Sequence, residues 1–379
     1  MSKTERILKV EIYDGLQPEL LAKAVEFFKS NFPSDSVRPI DINFFVSKLG
    51  EANPFGSGYF SVASHQGKVV GTCTAVRKRI VVENEIVDIV EIGDTFTSPN
   101  YRKHCYFEDM YPGTKSKNDY LNKSIFGRLA TETLDRARLG GSRYVFGTPN
   151  LQAKLSWLKR MEFKLVDQNE IFRVSAATKL YSLYNKNKLF TLVSRIYLST
   201  SYLICLIRVR NYKLSFIQDE NEIIFDFEPK YFQQKNSISI ENDPKYLENR
   251  YISNSDKAYE VIRISAKKTG KSCGYLFFYR NTRADGFTLL MLSKSLFSDE
   301  ELFKLKLPFS RLACKYLPDY HNLSVWLDRK ITNPRSAILY GFASEIFEVD
   351  IVGRQLDTSD LNLEKYGFSN FDYGDSDLG

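Results

Sequence analysis

The stretch Asn122–Ala137 reads NKSIFGRLATETLDRA. A short polar loop gives way to Ser124, Ile125, Phe126 and Gly127, then to a run of helix formers. Helix starts with small residues and unpaired backbone N–H groups are where proteins hold phosphate. Phosphate cradles commonly carry glycine where the backbone must touch the ligand, and that place holds Ser124. The stretch therefore reads as a working anion site, a degenerate one, or only a helix start. Its neighbours narrow the choice. Upstream, EIGDTFTSP (91–99) is a strand closed by Pro99, ahead of the polar loop that begins at Asn100. Downstream, RYVFGTPN (143–150) is a strand that ends at Asn150. A crossover of this kind brings two strand ends and a helix N-terminus to one edge of a sheet, where ligands bind.

Farther out, the periodicity sets the fold class. ILKVEIY reads as a first strand, Gln17–Phe32 and Asp41–Leu49 as helices, and 59–97 as a three-stranded antiparallel meander. The helix from about Ser124 follows, then the strand through Gly147, a helix from Leu151 to Met161 and a strand near FKLVD. This mixed order, with a central meander, is an α/β layered domain and neither a dinucleotide-binding nor a barrel pattern. From about Asn221 the theme repeats more loosely. A strand IIFDFEP comes first, then a helix around YLENRY, strands at YEVIRIS, SCGYLFFYR and FTLLMLS, and a helical stretch from Asp299 to Leu317 broken near Pro308. GTPNLQAKLSWLKRMEF in the first half is echoed by ITNPRSAILYGF in the second, which suggests a diverged internal duplication. The expected domains are 1–175, a helical linker 176–215, 216–356 and an acidic tail 357–379.

Composition limits the partners. The 379 residues are 43% hydrophobic and 14% aromatic with a net charge of +7, which fits two globular domains and an anionic ligand. The charges are mixed along the chain and no nucleic-acid motif is present, so nucleic acid is not expected. Five scattered cysteines without a C-x-x-C pair, and an N-terminus without an apolar leader pattern, suit a cytoplasmic protein. The three histidines are far apart, and no metal is expected. One segment, Leu189–Val209, is apolar enough to raise the question of a membrane. Its Arg195, serines and threonines argue against a span, which takes about 20 mostly apolar residues. Phe190, Val193, Tyr197, Ile204 and Ile207 recur at helical spacing, so the main reading is a helix buried between two domains on that face. The rival reading is a monotopic helix, flanked by Lys186, Lys188, Arg208 and Arg210, that rests on anionic lipid at the inner face of a membrane.

The pieces GDTFTSPNYR, NKSIFGRL and GTPNLQAKLSWLKRMEF, in that order, resemble the GNAT N-acetyltransferase superfamily. With a piece like YLENRY they resemble a tandem GNAT-fold subgroup associated with bacterial surface-polysaccharide biosynthesis. The outline covers most of the chain, and the sharp motifs cover about Glu91 to Phe163. The resemblance implies a GNAT-like mixed sheet with helices on both faces, followed by a second, diverged GNAT-like α/β domain. It implies acetyl-CoA as acyl donor and a small-molecule amine as acceptor, an amino-sugar or its nucleotide. Backbone groups of Thr95, Phe96 and Thr97 would pair with the pantetheine arm. Lys123, Ser124, Ile125, Phe126 and Gly127 would face the pyrophosphate, with charge from Arg102 and Arg128, and Asn150 would sit beside the donor. Asp94 is the preferred catalytic base and Glu91 the reserve. Three residues apart, they alternate to opposite faces of a regular strand, so only one should face the site.

The sequence departs from the family at two informative points. Ser124 replaces a glycine, and Trp157 stands where a tyrosine acid is common, although an indole supplies no acidic proton. Donor binding is therefore better supported than turnover, and a non-catalytic GNAT-fold binding or assembly protein is the alternative. The second half keeps Asn333 and Gly341-Phe342 without a glycine-bearing phosphate loop, and is expected to be non-catalytic and to shape the acceptor cleft. Asp375 and Asp377 form an acidic lip suited to a cationic sugar, or a solvated tail.

Overall fold

A computed structural model describes residues 10–31, 41–83, 85–102, 124–175, 188–218, 223, 237–252, 259–282, 285–317, 319–328, 334–357, 361–368 and 372. Lys123, Asn333, Asp375, Asp377 and the strand expected at IIFDFEP lie largely outside them. The chain forms two compact units. The first comprises Met1–Val166 and Ile351–Tyr366, the second Asp167–Asp350 and Gly367–Gly379.

The first unit begins with β1 (Glu11–Asp14), α1 (Pro18–Asn31), α2 (Ile42–Leu49), β2 (Tyr59–His65), β3 (Lys68–Val82) and β4 (Glu85–Thr97). It continues with α3 (Ile125–Leu139), β5 (Tyr144–Gly147), α4 (Leu151–Arg160) and the first residues of β6 (Lys164–Ser175). β1 to β4 pair antiparallel in order, and β5 joins β4 in parallel, with Ile89, Val90 and Glu91 opposite Tyr144, Val145 and Phe146. One face of the sheet packs on α1 and α2 through Phe28, Phe45, Phe60, Val62 and Val76. The other packs on α3 and α4 through Cys73, Val90, Ile92, Ile125, Leu129 and Trp157. In α3 the buried residues Ile125, Leu129, Ala130, Thr133, Leu134 and Ala137 form one stripe at helical spacing. Ser124 caps its start, and Arg136 and Arg138 suit the negative end of its dipole.

The second unit contains α5 (Lys188–Arg208), β7 (Tyr212–Ile217), β8 (Ser237–Ile240), α6 (Pro244–Tyr251), β9 (Tyr259–Ala266), β10 (Ser272–Thr282) and β11 (Thr288–Phe297). After these come α7 (Glu300–Phe303), α8 (Lys306–Ala313), β12 (Asn322–Asp328), α9 (Pro334–Leu339), the first residues of β13 (Ala343–Gln355) and β14 (Gly367–Phe368). β7, β9, β10 and β11 pair antiparallel, and β12 joins β11 in parallel. The helical stretch after β11 breaks at Lys304-Leu305 and not at Pro308. Pro308 lies in the first turn of α8, where its missing N–H is not needed.

The two sheets are closed by an exchange. Gly147–Tyr144 of β5 pairs with Val352–Gln355 of β13, from the end of the second half of the sequence. β12 pairs with Asn169–Ser175 of β6, from the end of the first half. The following segment ties into the first unit through Arg143–Asp357 (3.0 Å) and a hydrogen bond from Tyr366 to Glu83 (2.6 Å). The boundaries expected at 175 and 356 do not follow this exchange, because strand pairing at this sequence separation leaves no local signal.

Candidate functional site

The site begins where β4 outruns β5. Their pairing ends at Glu91 opposite Phe146, while β4 continues to Thr97. Past Glu91 no described strand pairs with β4 on the β5 side, and Gly93 to Thr97 are partly exposed. The backbone of Thr95, Phe96 and Thr97 thus forms an edge that an extended ligand can join. The carbonyl of Thr97 is not entirely spare, since Arg102 Nε donates to it (2.9 Å). The Arg102 guanidinium lies over the Phe96 ring, 5.2 Å from its centre, which places a cation at the end of this edge.

The start of α3 lies against the same strand end. Gly71 of β3 pairs with Thr97, and a Cβ on Gly71 would sit 2.7 Å from Ile125 Cγ2 and 3.0 Å from Leu129 Cδ1. The missing side chain lets the helix N-terminus settle beside the outer end of β4. Ser124 Oγ accepts from the Gly127 N–H (3.1 Å). Of the five residues expected to face a pyrophosphate, Gly127 therefore already spends its N–H internally. The N–H groups of Ile125 and Phe126 have no acceptor among the described residues and point with the helix dipole. Phe126 and Phe163 flank Trp157 at 5.1 and 5.0 Å between ring centres, and Trp157 is buried. Trp157 thus serves as the packing link between α3 and α4. Asn150 caps α4, its Oδ1 accepting from Ala153 N (2.9 Å), which leaves its amide nitrogen for a ligand. Arg128 is partly exposed in the first turn of α3.

The candidate carboxylates do not sit on opposite faces. Thr72 and Thr74 pair with Phe96 and Gly93, so β4 carries one extra residue in a bulge at Asp94-Thr95. Asp94 has φ 40°, a left-handed conformation that Asp tolerates better than most residues. The bulge resets the alternation and turns Asp94 to the α1/α2 face that Glu91 also faces. Thr74 Oγ1 donates to the Asp94 carboxylate (3.1 Å) and Thr72 Oγ1 to its carbonyl (2.9 Å). Both acids are ion-paired. Asp94 meets Lys48 of α2, and Glu91, 1% exposed, meets Lys78 of β3. The sequence carried a sign of Lys48, a cation inside the apolar run INFFVSKL, whereas Lys78 is masked by Arg77 and Arg79 on either side of it in VRKRIVV. On the opposite face, Cys73 lies 3.4 Å from Thr95 Oγ1, and burial pushes its thiol up to about 11, which keeps it protonated.

The second unit repeats the geometry with a different outcome. β11 and β12 pair in parallel from Leu289–Asn322 to Met291–Ser324, and β11 then bulges at Ser293. The buried Asp372 occupies the edge beyond. Its carboxylate accepts from Ser295 N (2.9 Å) and Ser295 Oγ (2.7 Å) and pairs with Lys306 in the first turn of α8. Lys306 Nζ also donates to the carbonyl of Trp326 on β12 (3.1 Å). A carboxylate and an ammonium from the chain itself bridge the diverging strands.

No family model matches the sequence, and no curated protein matches it. Solved structures do. A probable N-acyltransferase from Enterococcus faecalis matches 92% of this chain and 73% of its own at TM-score 0.54 and 8% identity. A tandem GNAT protein from the clavulanic acid biosynthesis pathway matches 93% of this chain and 100% of its own at TM-score 0.52 and 11% identity. Saccharomyces cerevisiae N-myristoyltransferase, solved with myristoyl-CoA, matches 97% and 83% at TM-score 0.56 and 12% identity. At such identities the likeness concerns the backbone, and the chain has a GNAT-like α/β fold along most of its length.

Proposed function

We propose that the first unit binds acetyl-CoA along β4 and the start of α3 and transfers its acetyl group to a small amine, an amino-sugar or its nucleotide used in surface polysaccharide. The observation that carries this reading is the conjunction of a strand edge left over beyond β5 with a helix N-terminus seated on Gly71 at the same strand end. The donor supplies an activated acyl thioester. The backbone of Thr95–Thr97 orients its arm, the N–H groups of Ile125 and Phe126 hold its phosphates, and Arg102, Lys123 and Arg128 add positive charge. Asp94 is the proton acceptor for the attacking ammonium: it sits on the bulge at the partly exposed end of β4, whereas Glu91 is sealed against Lys78. Lys48 pairs with Asp94 and holds it in place, so the incoming ammonium must compete for it.

Calorimetry with acetyl-CoA and a thiol-release assay over an amine panel test both parts. Micromolar binding is expected, with loss of at least 100-fold in Ser124→Glu, which sets a carboxylate at the phosphate seat. Unchanged affinity in that variant would remove the helix start from the site. A second reading, a GNAT-fold binding protein without turnover, is favoured by the capped Gly127 N–H and the two ion-paired acids. It is the correct one if acetyl-CoA binds and no amine releases thiol.

A further inference from the structure

α5 is apolar on two opposite faces. Leu198, Ser201, Cys205 and Val209 are buried in the second unit's core. The face expected from sequence to be buried is instead exposed at Val193, Tyr197 and Ile207. Leu192, Ile196, Leu203 and Ile207 are each 55–58% exposed. At 100° per residue these four fall within an arc of roughly 60°. Beside this stripe Tyr197, itself exposed, donates to the carbonyl of Ile338 on α9, and Ile338 and Leu339 are more than half exposed. A contiguous apolar surface of this kind marks an interaction site.

Charge identifies the partner. At the C-terminal end of the stripe, Arg208, Arg210 and Lys213 are exposed. The turn between β9 and β10 is fastened beside them, with Lys267 N donating to Asn211 O (2.9 Å) and Lys267 Nζ to Arg210 O (2.7 Å). That turn adds Lys268 and Lys271, both exposed. From 171 to 218 the sequence contains no Asp or Glu, in a chain that has 46 of them. No described helix is long and apolar enough to cross a membrane.

We propose that the outer face of α5, with Ile338, Leu339 and the basic cluster at its end, docks on an anionic lipid surface. The apolar side chains enter the headgroup boundary while the cations meet lipid phosphate. This placement does not depend on the acyl-transfer reading, and its test uses no acyl donor.

The full chain is sedimented with vesicles of phosphatidylcholine alone or with a quarter phosphatidylglycerol. Binding to the anionic vesicles is expected, at least tenfold weaker on neutral ones and weakened by 0.5 M salt. Arg208→Gln and Arg210→Gln should each lower the affinity roughly fivefold. The doubly substituted Ile196→Glu, Leu203→Glu chain should lose binding; both sites are exposed, so its thermal melt checks that it still folds. Leu203→Trp supplies a second readout, a blue shift of tryptophan emission on adding anionic vesicles. Absence of vesicle binding, or equal binding to both compositions, overturns the proposal. So does a dimer in light scattering that Ile196→Glu dissociates, which would assign the face to a second copy.

Discussion

The two halves build the same opening and satisfy it differently. In each, a parallel strand pair stops short, the longer strand bulges, and a helix starts nearby. In the second unit the edge past the pairing is met by Asp372 and Lys306. In the first, the acid at the bulge, Asp94, is tied sideways to Lys48, and the strand edge remains for something else. The lesson is that diverging strands leave backbone donors and acceptors that must be paired. A chain that fills them with its own carboxylate has closed the site, and a chain that leaves them at the surface has kept one.

The largest expected effect lies in the closed opening. Asp372→Ala leaves Lys306 as a buried charge without its carboxylate, which should destabilise the protein by about 3–5 kcal/mol in denaturant unfolding. Adding Lys306→Met should recover most of that loss. A double variant no more stable than the single one would mean the pair does not plug the opening as a unit.

Alkaline unfolding compares the units next. Burial raises Cys73 in the first unit to about 11 and Cys205 in the second to about 12 from an ordinary 9.0. Because the folded values lie above the unfolded one, this stabilisation is complete below about pH 9 and is lost as pH rises toward 11 and 12. Each thiol should contribute a loss on the order of 2 kcal/mol between pH 8 and 10.5. Cys73→Ala should show a smaller drop in its urea midpoint over that range than the natural chain.

Gly71→Ala tests the seat of α3. The new methyl meets Ile125 and Leu129 within 3.0 Å, so a cost of about 1–3 kcal/mol and a tenfold or greater loss of acetyl-CoA affinity are expected by calorimetry. If stability falls and affinity does not, the helix start is packing alone. The smallest effect is the most informative about the open edge. Ser124→Gly should cost only a few tenths of a kcal/mol, yet release the Gly127 N–H and tighten acetyl-CoA binding severalfold. No change in affinity would mean that Gly127 does not face the ligand.

Much of this comparison was legible in the sequence. The meander, the helix after Ser124 and the strand before Asn150 follow from periods of 2 and 3.6 with clear stops at Pro99 and Asn150. The sharing of one face by Glu91 and Asp94 was not, because counting along a strand assumes that no residue is inserted. α5 misled for a related reason: with apolar residues on two faces, periodicity finds a stripe but not which one meets the core. Asp372 could not be singled out among the acids of the tail, since its partners lie 66 and 77 residues away in the sequence.

The exchanged strands also bear on the order of synthesis. The strand that closes the first unit, Val352–Gln355, leaves the ribosome after nearly all of the second unit has been made. Until then β5 keeps a bare edge, the kind of surface that invites pairing with other chains. Translation speed through the second half, and whatever shields that edge meanwhile, should therefore govern how much of the first half is recovered in native form.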